Sequence, residues 1–511
     1  MSEGTDGAGA RPKTYRLALR PQGATLALAA GMPLQDVLFE HGVEFPCGGK
    51  GVCRGCRVRV IEGRLPESAE DQRLLTRADL DAGWRLACRA RIESDLTLEL
   101  AQWEAAILSD HGAIRFRPRE GWGVAIDLGT TTMVAQLLDL QTAETLAVRA
   151  ALNPQAQQGA DVMSRVQHGL TREGRAQLTE MVRGRLGQMI AKMAKDSGGG
   201  HRLTEVVIVG NTVMHHLFGG LPVDALARYP FESDRLELLR FESRELGWDL
   251  ASNAAVDFLP CLGGFVGSDI LAGILATGLD EGDQARVLVD LGTNGEIVVG
   301  DGSGLLCAST AAGPAFEGAR IAMGMRAATG AIAEVKADGG RLAARVLGGG
   351  AARGICGSGL VDAAAAGLEL GWIQPSGRLA GGRTEMPILA PVKLTQGDLR
   401  ELQLAKGAIA AGLRLLLAQR RISPARIRQV HLAGAFGNYI SRRSARRIGL
   451  LDFPLEQMTP AGNTALHGAK IALFAAREDR EFPALRRRIR HVRLSADPAF
   501  EEQYVECMAF P

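Results

Sequence analysis

The chain has 511 residues, 46% of them hydrophobic and 23% charged, the texture of a globular protein with room for two to four domains of about 100–200 residues. Its net charge of +2 excludes a bulk electrostatic attraction to nucleic acid or to an anionic membrane. Met1–Lys13 is Gly-rich and polar with no apolar h-region, and no apolar run reaches the ~18 residues of a spanning helix, so neither a secretory signal nor a membrane span is expected and the expected location is cytoplasmic.

After a flexible N-terminus over residues 1–13, the alternation in Tyr15–Arg20 and Ala24–Leu28 around the turn Pro21–Gln22–Gly23 predicts two short strands. Pro33–His41 predicts a short helix with Leu34, Val37 and Leu38 on one face. A Gly- and Cys-rich loop follows, then strand patterns at Arg57–Ile61 and Leu96–Leu100, which closes a small α+β domain over residues 14–100. Residues 101–120, including Arg115, Arg117, Pro118 and Arg119, are polar and irregular and are expected to form a linker. From 121 to 511 strand–Gly loop–strand units alternate with Ala/Leu-rich helices such as Arg175–Ala194 and Asp398–Gln419, which predicts an α/β architecture.

Eight cysteines are present, and four lie between Cys47 and Cys88. Cys261, Cys307, Cys356 and Cys507 are scattered in apolar or Gly-rich surroundings, unlike the disulfide framework of a secreted protein. The spacing Cys47-x5-Cys53-x2-Cys56-x31-Cys88 puts three ligands on one tight loop and a fourth far away. [2Fe–2S] ferredoxins use that arrangement. The loop glycines can take positive φ and turn backbone N–H groups toward cluster sulfurs, which tunes potential. Zinc ribbons pair one Cys-x2-Cys with another; the lone Cys88 disfavours zinc. The spacing of five between Cys47 and Cys53 differs from the plant-type four and resembles adrenodoxin-like ferredoxin domains.

One internal repeat stands out. Val124–Ala–Ile–Asp127–Leu–Gly–Thr–Thr–Thr132 recurs 163 residues later as Val287–Leu–Val–Asp290–Leu–Gly–Thr–Asn–Gly–Glu296, each leading into a second apolar strand (Met133–Leu138; Ile297–Val299). Two such hairpins predict two similar lobes. No Walker A motif is present, so a P-loop NTPase is not expected. The hairpins offer another grip on phosphate. The turn glycines Gly129 and Gly292 let backbone N–H groups, with Thr130, Thr131, Thr293 and Asn294, approach oxyanions. Asp127 and Asp290, each fixed at a strand end, can hold Mg²⁺ through water. Glu296 and Glu317 are candidates for orienting an attacking water, though each also fits a structural role in a Gly-rich loop.

Together these segments resemble the actin/Hsp70/sugar-kinase (ASKHA) superfamily. Asp127–Thr132 looks like its first phosphate motif and Asp290–Glu296 like its second. His431–Leu–Ala–Gly434–Ala–Phe–Gly437–Asn–Tyr439 looks like its adenosine motif, with Gly434 and Gly437 making room for the nucleoside. The implied fold is a β-grasp ferredoxin-like domain followed by a two-lobed α/β ATPase over 121–511, with ATP and Mg²⁺ as ligands.

A ferredoxin domain ahead of this fold resembles the reductive activators of corrinoid proteins, throughout residues 14–511. Besides the cysteine loop, the segments that carry the likeness include Asn153–Pro–Gln155, Gly159–Ala–Asp161–Val–Met–Ser–Arg165, Val209–Gly–Asn211–Thr–Val–Met–His215–His–Leu217, Gly313–Pro–Ala–Phe–Glu317–Gly, Gly354–Ile–Cys356–Gly–Ser–Gly359 and Gly462–Asn–Thr–Ala–Leu. The resemblance implies an ATP-hydrolysing activase that passes an electron to the cob(II)alamin of a corrinoid methyltransferase system. It further implies an upstream electron donor, neither nucleic acid nor membrane as partner, and room for a homodimer. One departure is expected: relatives carry a further domain between the ferredoxin and ATPase parts, where here only residues 101–120 intervene.

Other functions are weighed against this. A small-molecule kinase or a nucleotide-driven switch with a regulatory cluster fits the lobes, but no sugar-contacting Asp and no separate peptide-binding domain can be singled out. Activators of radical dehydratases use a [4Fe–4S] cluster between subunits, which the four-cysteine pattern disfavours. His215 and His216 lie in an apolar stretch and are expected to be packed core histidines. The arginines at 442, 443, 446, 447, 486–488 and 490 are expected to be solvated helix faces.

Overall fold

The computed structural model describes residues 13–20, 24–40, 43, 51, 56–100, 116–159, 161–198, 202–292, 294–328, 330–347 and 349–511. Cys47, Cys53, Thr293, the segment 1–12 and most of the expected linker lie outside the described residues. Two compact units divide the chain, Met1–Glu104 and Ala105–Pro511.

The first unit is a mixed five-stranded sheet of β1 (Thr14–Arg20), β2 (Ala24–Ala29), β3 (Arg57–Gly63), β4 (Trp84–Leu86) and β5 (Leu96–Leu100), in the order β2-β1-β5-β3-β4. β1 runs antiparallel to β2 and parallel to β5, so the first and last strands lie side by side at the centre, as in a β-grasp. Alternation along β1 buries Leu17 and Leu19 and leaves their neighbours more exposed. The helix Leu34–Glu40 buries Leu34 and Leu38, one turn apart. Two short helices, Ala69–Leu74 and Arg77–Asp81, and the strand β4 were not anticipated. Each helix starts on a capping box, Ser68 with Asp71 and Thr76 with Asp79, a local signal present in the sequence.

In the second unit β6 (Trp122–Leu128), β7 (Thr132–Asp139), β8 (Thr145–Leu152), β9 (Leu203–Gly210), β10 (Leu239–Glu242) and β11 (Ala255–Phe258) form one sheet, ordered β10-β11-β9-β6-β7-β8. A second sheet starts with β12 (Arg286–Leu291), β13 (Gly295–Asp301) and β14 (Gly304–Thr310). Between its halves in sequence lie two small sheets, one of β15 (Ala331–Asp338), β16 (Arg341–Val346) and β17 (Gly354–Ile355), the other of β18 (Glu385–Leu389) and β19 (Val392–Thr395). Then β20 (Gln429–Ala433), β21 (Met458–Gly462) and β22 (Ile489–His491) complete the order β21-β20-β12-β13-β14-β22. The repeat seen in two hairpins therefore extends to five strands. In each lobe an antiparallel meander is continued by two parallel strands, β9 and β11 in the first and β20 and β21 in the second. The central strands β6, β9 and β12 are apolar on both faces because both faces are covered.

Pleat alternation sorts the side chains. Val124, Ile126 and Leu128 face an outer core shared with Leu178, Val182, Leu186 and Phe218, whereas Ala125 faces an inner one. Likewise Val287, Val289 and Leu291 point outward to a core with the helices Gly357–Glu369 and Gln396–Arg420, and Leu288 points inward. The inner cores are exchanged between lobes. The helix Ser268–Thr277 follows the first sheet but buries Ile270, Leu271 and Ile274 with Leu288, Val298 and Cys307 of the second. The helix Thr464–Phe474 follows the second sheet but buries Ala465, Leu466, Ala469 and Leu473 with Ala125, Val207 and Val209 of the first. The two helices cross at small residues, where a Cβ on Gly468 would lie 2.0 Å from the Ala272 carbonyl oxygen.

Candidate functional site

In the first unit the cysteine site is partly described. Cys56 is buried, and its carbonyl accepts from the Ala87 amide at 3.0 Å, which sets the turn Ala87–Arg89, with Cys88 at its middle, beside Cys56. The buried carboxylate of Asp71 fixes that strand-to-turn segment by accepting from the Leu86 amide at 2.7 Å. On the loop, Gly51 has φ +68°, and its carbonyl accepts from Arg73 Nη2 at 2.7 Å. A Cβ there would lie 2.8 Å from Glu70 Cγ, so glycine is required both by conformation and by space. Two cysteines on neighbouring segments, and the positive-φ Gly51, fit a cluster of the expected type.

In the second unit the same pleat argument that turns Ala125 and Leu288 inward turns Asp127 and Asp290 inward, at the ends of β6 and β12 where the crossed helices begin. In the first hairpin the Gly129 N–H donates to the Thr132 carbonyl at 3.1 Å, and in the second the Gly292 N–H donates to the Asn294 carbonyl at 3.0 Å. Thr130 is held by Asn211, whose Nδ2 donates to its Oγ1 at 2.9 Å. Asn463 Nδ2 donates to Asp127 Oδ2 at 3.0 Å. Across the cleft, Gly434 has φ +78°, and a Cβ would lie 2.5 Å from Asp290 Oδ1. Gly434 thus meets the second hairpin, whereas a Cβ on Gly437 would contact the Leu432 backbone at 3.2 Å. Beyond them the Phe316 and Phe436 rings stack at 4.6 Å, and Gly357 fits only because a Cβ would strike the Phe316 carbonyl at 1.9 Å. Three Gly-rich segments read separately in the sequence, around Gly313, Gly354 and Gly434, therefore meet at one wall.

Glu296 sits opposite Asp290 in the hairpin register, 9% exposed, and accepts from Ser309 Oγ at 3.2 Å. A fourth acid, Asp269, joins them from the first turn of the helix Ser268–Thr277. Burial first, and then repulsion from neighbouring carboxylates, raises Asp290, Asp269 and Glu296. Asp290 is pushed to about 7 and Asp269 to about 8, while Glu296 goes well above its ordinary value. Asp127 is raised to about 6 by burial, against the Asn463 hydrogen bond that favours its charged form. Asp127, Asp269 and Asp290 nonetheless keep an opening to solvent. Such a group cannot be fully ionised without a cation. Among the described residues no three acidic, His or Cys side chains are close enough to chelate a metal unaided. The set fits a hydrated divalent ion shared with phosphate oxygens.

Asp269 was not singled out from the sequence, and Asn211 and Asn463 stood there only inside family-like segments, with no role assigned. The glycine-rich Gly263–Gly264 and Gly267 ahead of a helix start was the available signal for Asp269. His215 and His216 are core residues as expected: both are buried, with His215 Nε2 3.0 Å from the Glu237 carbonyl and His216 Nδ1 2.7 Å from that of Pro222. Glu317 is half-buried near the Phe316 wall. Several of the arginines expected to be solvated faces make ion pairs within the unit, among them Arg443 with Glu369 at 3.4 Å and Arg488 with Asp280 at 2.9 Å. Among the described residues no helix is long and apolar enough to cross a membrane.

Comparison with known proteins adds the family context. Residues 17–93 match the 2Fe–2S iron–sulfur cluster binding domain, 122–282 the "RACo middle region", and 284–511 the "C-terminal domain of RACo the ASKHA domain". The expected absence of a middle domain is therefore corrected: residues read as the first ATPase lobe are the counterpart of that region. The chain is 34% identical over 415 residues to the corrinoid activation enzyme RamQ of Eubacterium limosum, covering 75% of this chain and 69% of the relative. It is 28% identical over 377 residues to the [Co(II) methylated amine-specific corrinoid protein] reductase of Methanosarcina barkeri, covering 68% of each. A solved reductive activator for corrinoid, iron–sulfur protein superposes with a TM-score of 0.68 at 26% identity, over 97% of this chain and 98% of that one.

Proposed function

Because the chain belongs to the family of reductive activators of corrinoid proteins, we propose that it uses Mg²⁺·ATP to drive one electron through an N-terminal [2Fe–2S] centre onto the inactive cob(II)alamin of a partner methyltransferase system. Electron flow balances as one in and one out: an upstream one-electron donor is oxidised and the partner's cobalt goes from Co(II) to Co(I). When bound, a centre of plant type supplies an electron near about −400 mV. Base-off cob(II)alamin is harder still to reduce, and every ~59 mV uphill lowers the equilibrium about tenfold, or about 1.4 kcal/mol. Nucleotide turnover supplies that difference.

In this reading Cys47, Cys53, Cys56 and Cys88 hold the centre. The turns at Gly129 and Gly292 bring backbone N–H groups up to the phosphates, with Thr130, Thr131, Thr293 and Asn294 beside them. Asp127 and Asp290 anchor the metal, Asp269 adds charge from the crossed helix, and Glu296 orients the attacking water. Gly434 and Gly437 leave room at the nucleoside wall. The observation that carries the reading is the convergence of four acids from both lobes beside two glycine turns. Groups so mutually repulsive stabilise a cation and the anion it brings.

The test is direct. Full-length protein, given a reductant, Mg²⁺·ATP and its cognate corrinoid protein as cob(II), should generate cob(I)alamin, trapped as methylcobalamin by a methyl donor. Equal reduction with and without ATP, together with phosphorylation of a small metabolite, would replace this reading by a kinase.

A further inference from the structure

Asn463 uses both ends of one side-chain amide. Its Oδ1 accepts from the Leu466 amide at 2.8 Å and caps the helix Thr464–Phe474, while its Nδ2 donates to Asp127 Oδ2 at 3.0 Å. Aspartate would keep the cap but set a second negative charge against Asp127; alanine would lose both contacts. At the far end of the helix the Leu473 carbonyl accepts from the Arg119 guanidinium and from Arg480 Nη2, the latter at 2.9 Å. Phe474 packs on Phe116 with ring centroids 4.9 Å apart. Arg119 also donates to Glu205 on β9 at 3.1 Å, and its amide donates to the Leu140 carbonyl at 3.1 Å. Near the middle of the helix Gly468 lies against the Ala272 carbonyl, with no room for a methyl group.

We infer that Asn463 is a positioning residue and that this helix is a lever linking the Asp127 carboxylate to residues 116–119, from which the chain leads back in sequence to the iron–sulfur unit. An 11-residue helix is a rod about 16 Å long, stiffened by its own hydrogen bonds. Asp127 would be one of the residues to hold a cation, and any shift of its Oδ2 on binding would be passed to Asn463 through their hydrogen bond. The capped end of the rod follows the amide, the contact at Gly468 acts as the pivot, and the opposite end moves Arg119 and Phe116. The inference rests on the reading of Asp127 as part of a nucleotide site.

Hydrogen–deuterium exchange on the full-length protein tests it, with and without Mg²⁺ and a non-hydrolysable ATP analogue. In the wild type, exchange over 116–121 should change about threefold or more on binding, as expected for a segment whose local opening is coupled to ligand. In Asn463→Asp, which keeps the helix cap, saturating nucleotide should leave exchange at 116–121 unchanged. Phe116→Ala breaks the other end: nucleotide hydrolysis should stay within about twofold of wild type, since the ring touches no ligand, while ATP stimulation of corrinoid reduction falls about tenfold. Wild-type exchange changes persisting in nucleotide-saturated Asn463→Asp would overturn the lever, as would nucleotide binding to the wild type with no change at 116–121. Failure of the wild type to bind nucleotide would instead overturn the nucleotide reading and the inference together.

Discussion

Protons and a divalent cation compete for the same oxygens if Asp127, Asp269 and Asp290 hold that cation as proposed. Their folded values of about 6, 8 and 7 lie above the ~3.9 of an unfolded aspartate. Folding therefore favours their protonated forms, and the ligand-free protein should lose stability as pH rises from about 4 to about 8. Mg²⁺·nucleotide must displace those protons, so its affinity should increase from pH 6 to pH 8, with proton release measurable by titration calorimetry in buffers of different ionisation enthalpy. Asp269→Asn should flatten that dependence, because it removes the most strongly raised aspartate and relieves its neighbours. Asp127→Ala and Asp290→Ala should each lower hydrolysis by about 100-fold or more, the scale for losing one electrostatic anchor of the transition state; wild-type turnover in both would remove them from the site. At the other centre, anaerobically purified protein should carry two irons and two sulfides and be red-brown, as a ferredoxin-type cluster requires. Cys47→Ala, Cys53→Ala, Cys56→Ala or Cys88→Ala should bleach that absorption, and Cys307→Ala, buried on β14, should leave it intact.

Ionic contacts join elements far apart in the chain. Asp257 on β11 and Arg480 are both fully buried and pair at 2.7 Å, and Arg477 pairs with Asp257 at 2.9 Å while Arg480 also reaches Glu205. Asp257→Ala would leave the Arg480 guanidinium without half of its compensation inside the protein. Unfolding by urea should show a loss of about 3–5 kcal/mol, the scale for breaking a buried pair from one side. These contacts were invisible in the sequence, since nothing in a lone Asp or Arg announces a partner more than two hundred residues away. What was legible at this scale was local. Period-two alternation marked β1, β2 and β5, the long helices Arg172–Asp196 and Gln396–Arg420 were anticipated within a few residues, and the two Asp–Leu–Gly–Thr segments marked the β6–β7 and β12–β13 hairpins. Asp269 and the role of Asn463 escaped because both come from the exchange of helices between lobes. That exchange is a tertiary fact with no local pattern.

For the molecule as a whole, the pairing of units makes its own demand. The corrinoid assay described above should need both in one protein. A variant lacking all four cluster cysteines should still turn over ATP yet transfer no electron, and the iron–sulfur unit alone should transfer little because nothing couples it to nucleotide. Transfer by the isolated unit at the full-length rate would show that the lobes are dispensable.

The crossed helices of the lobes carry a consequence for how this chain can be divided. A break at residue 283, between the two matched regions, looks like a natural seam in the sequence. Yet each resulting fragment would lose a helix that packs on the inner face of its sheet, because that helix belongs to the other fragment. Produced singly, each piece should aggregate; produced together, they should reassemble into a soluble heterodimer detectable by size-exclusion chromatography. A gene duplication that gave rise to the two lobes would on this account have been viable only once the copies began trading helices. Afterwards neither copy could be lost without exposing the core of its twin.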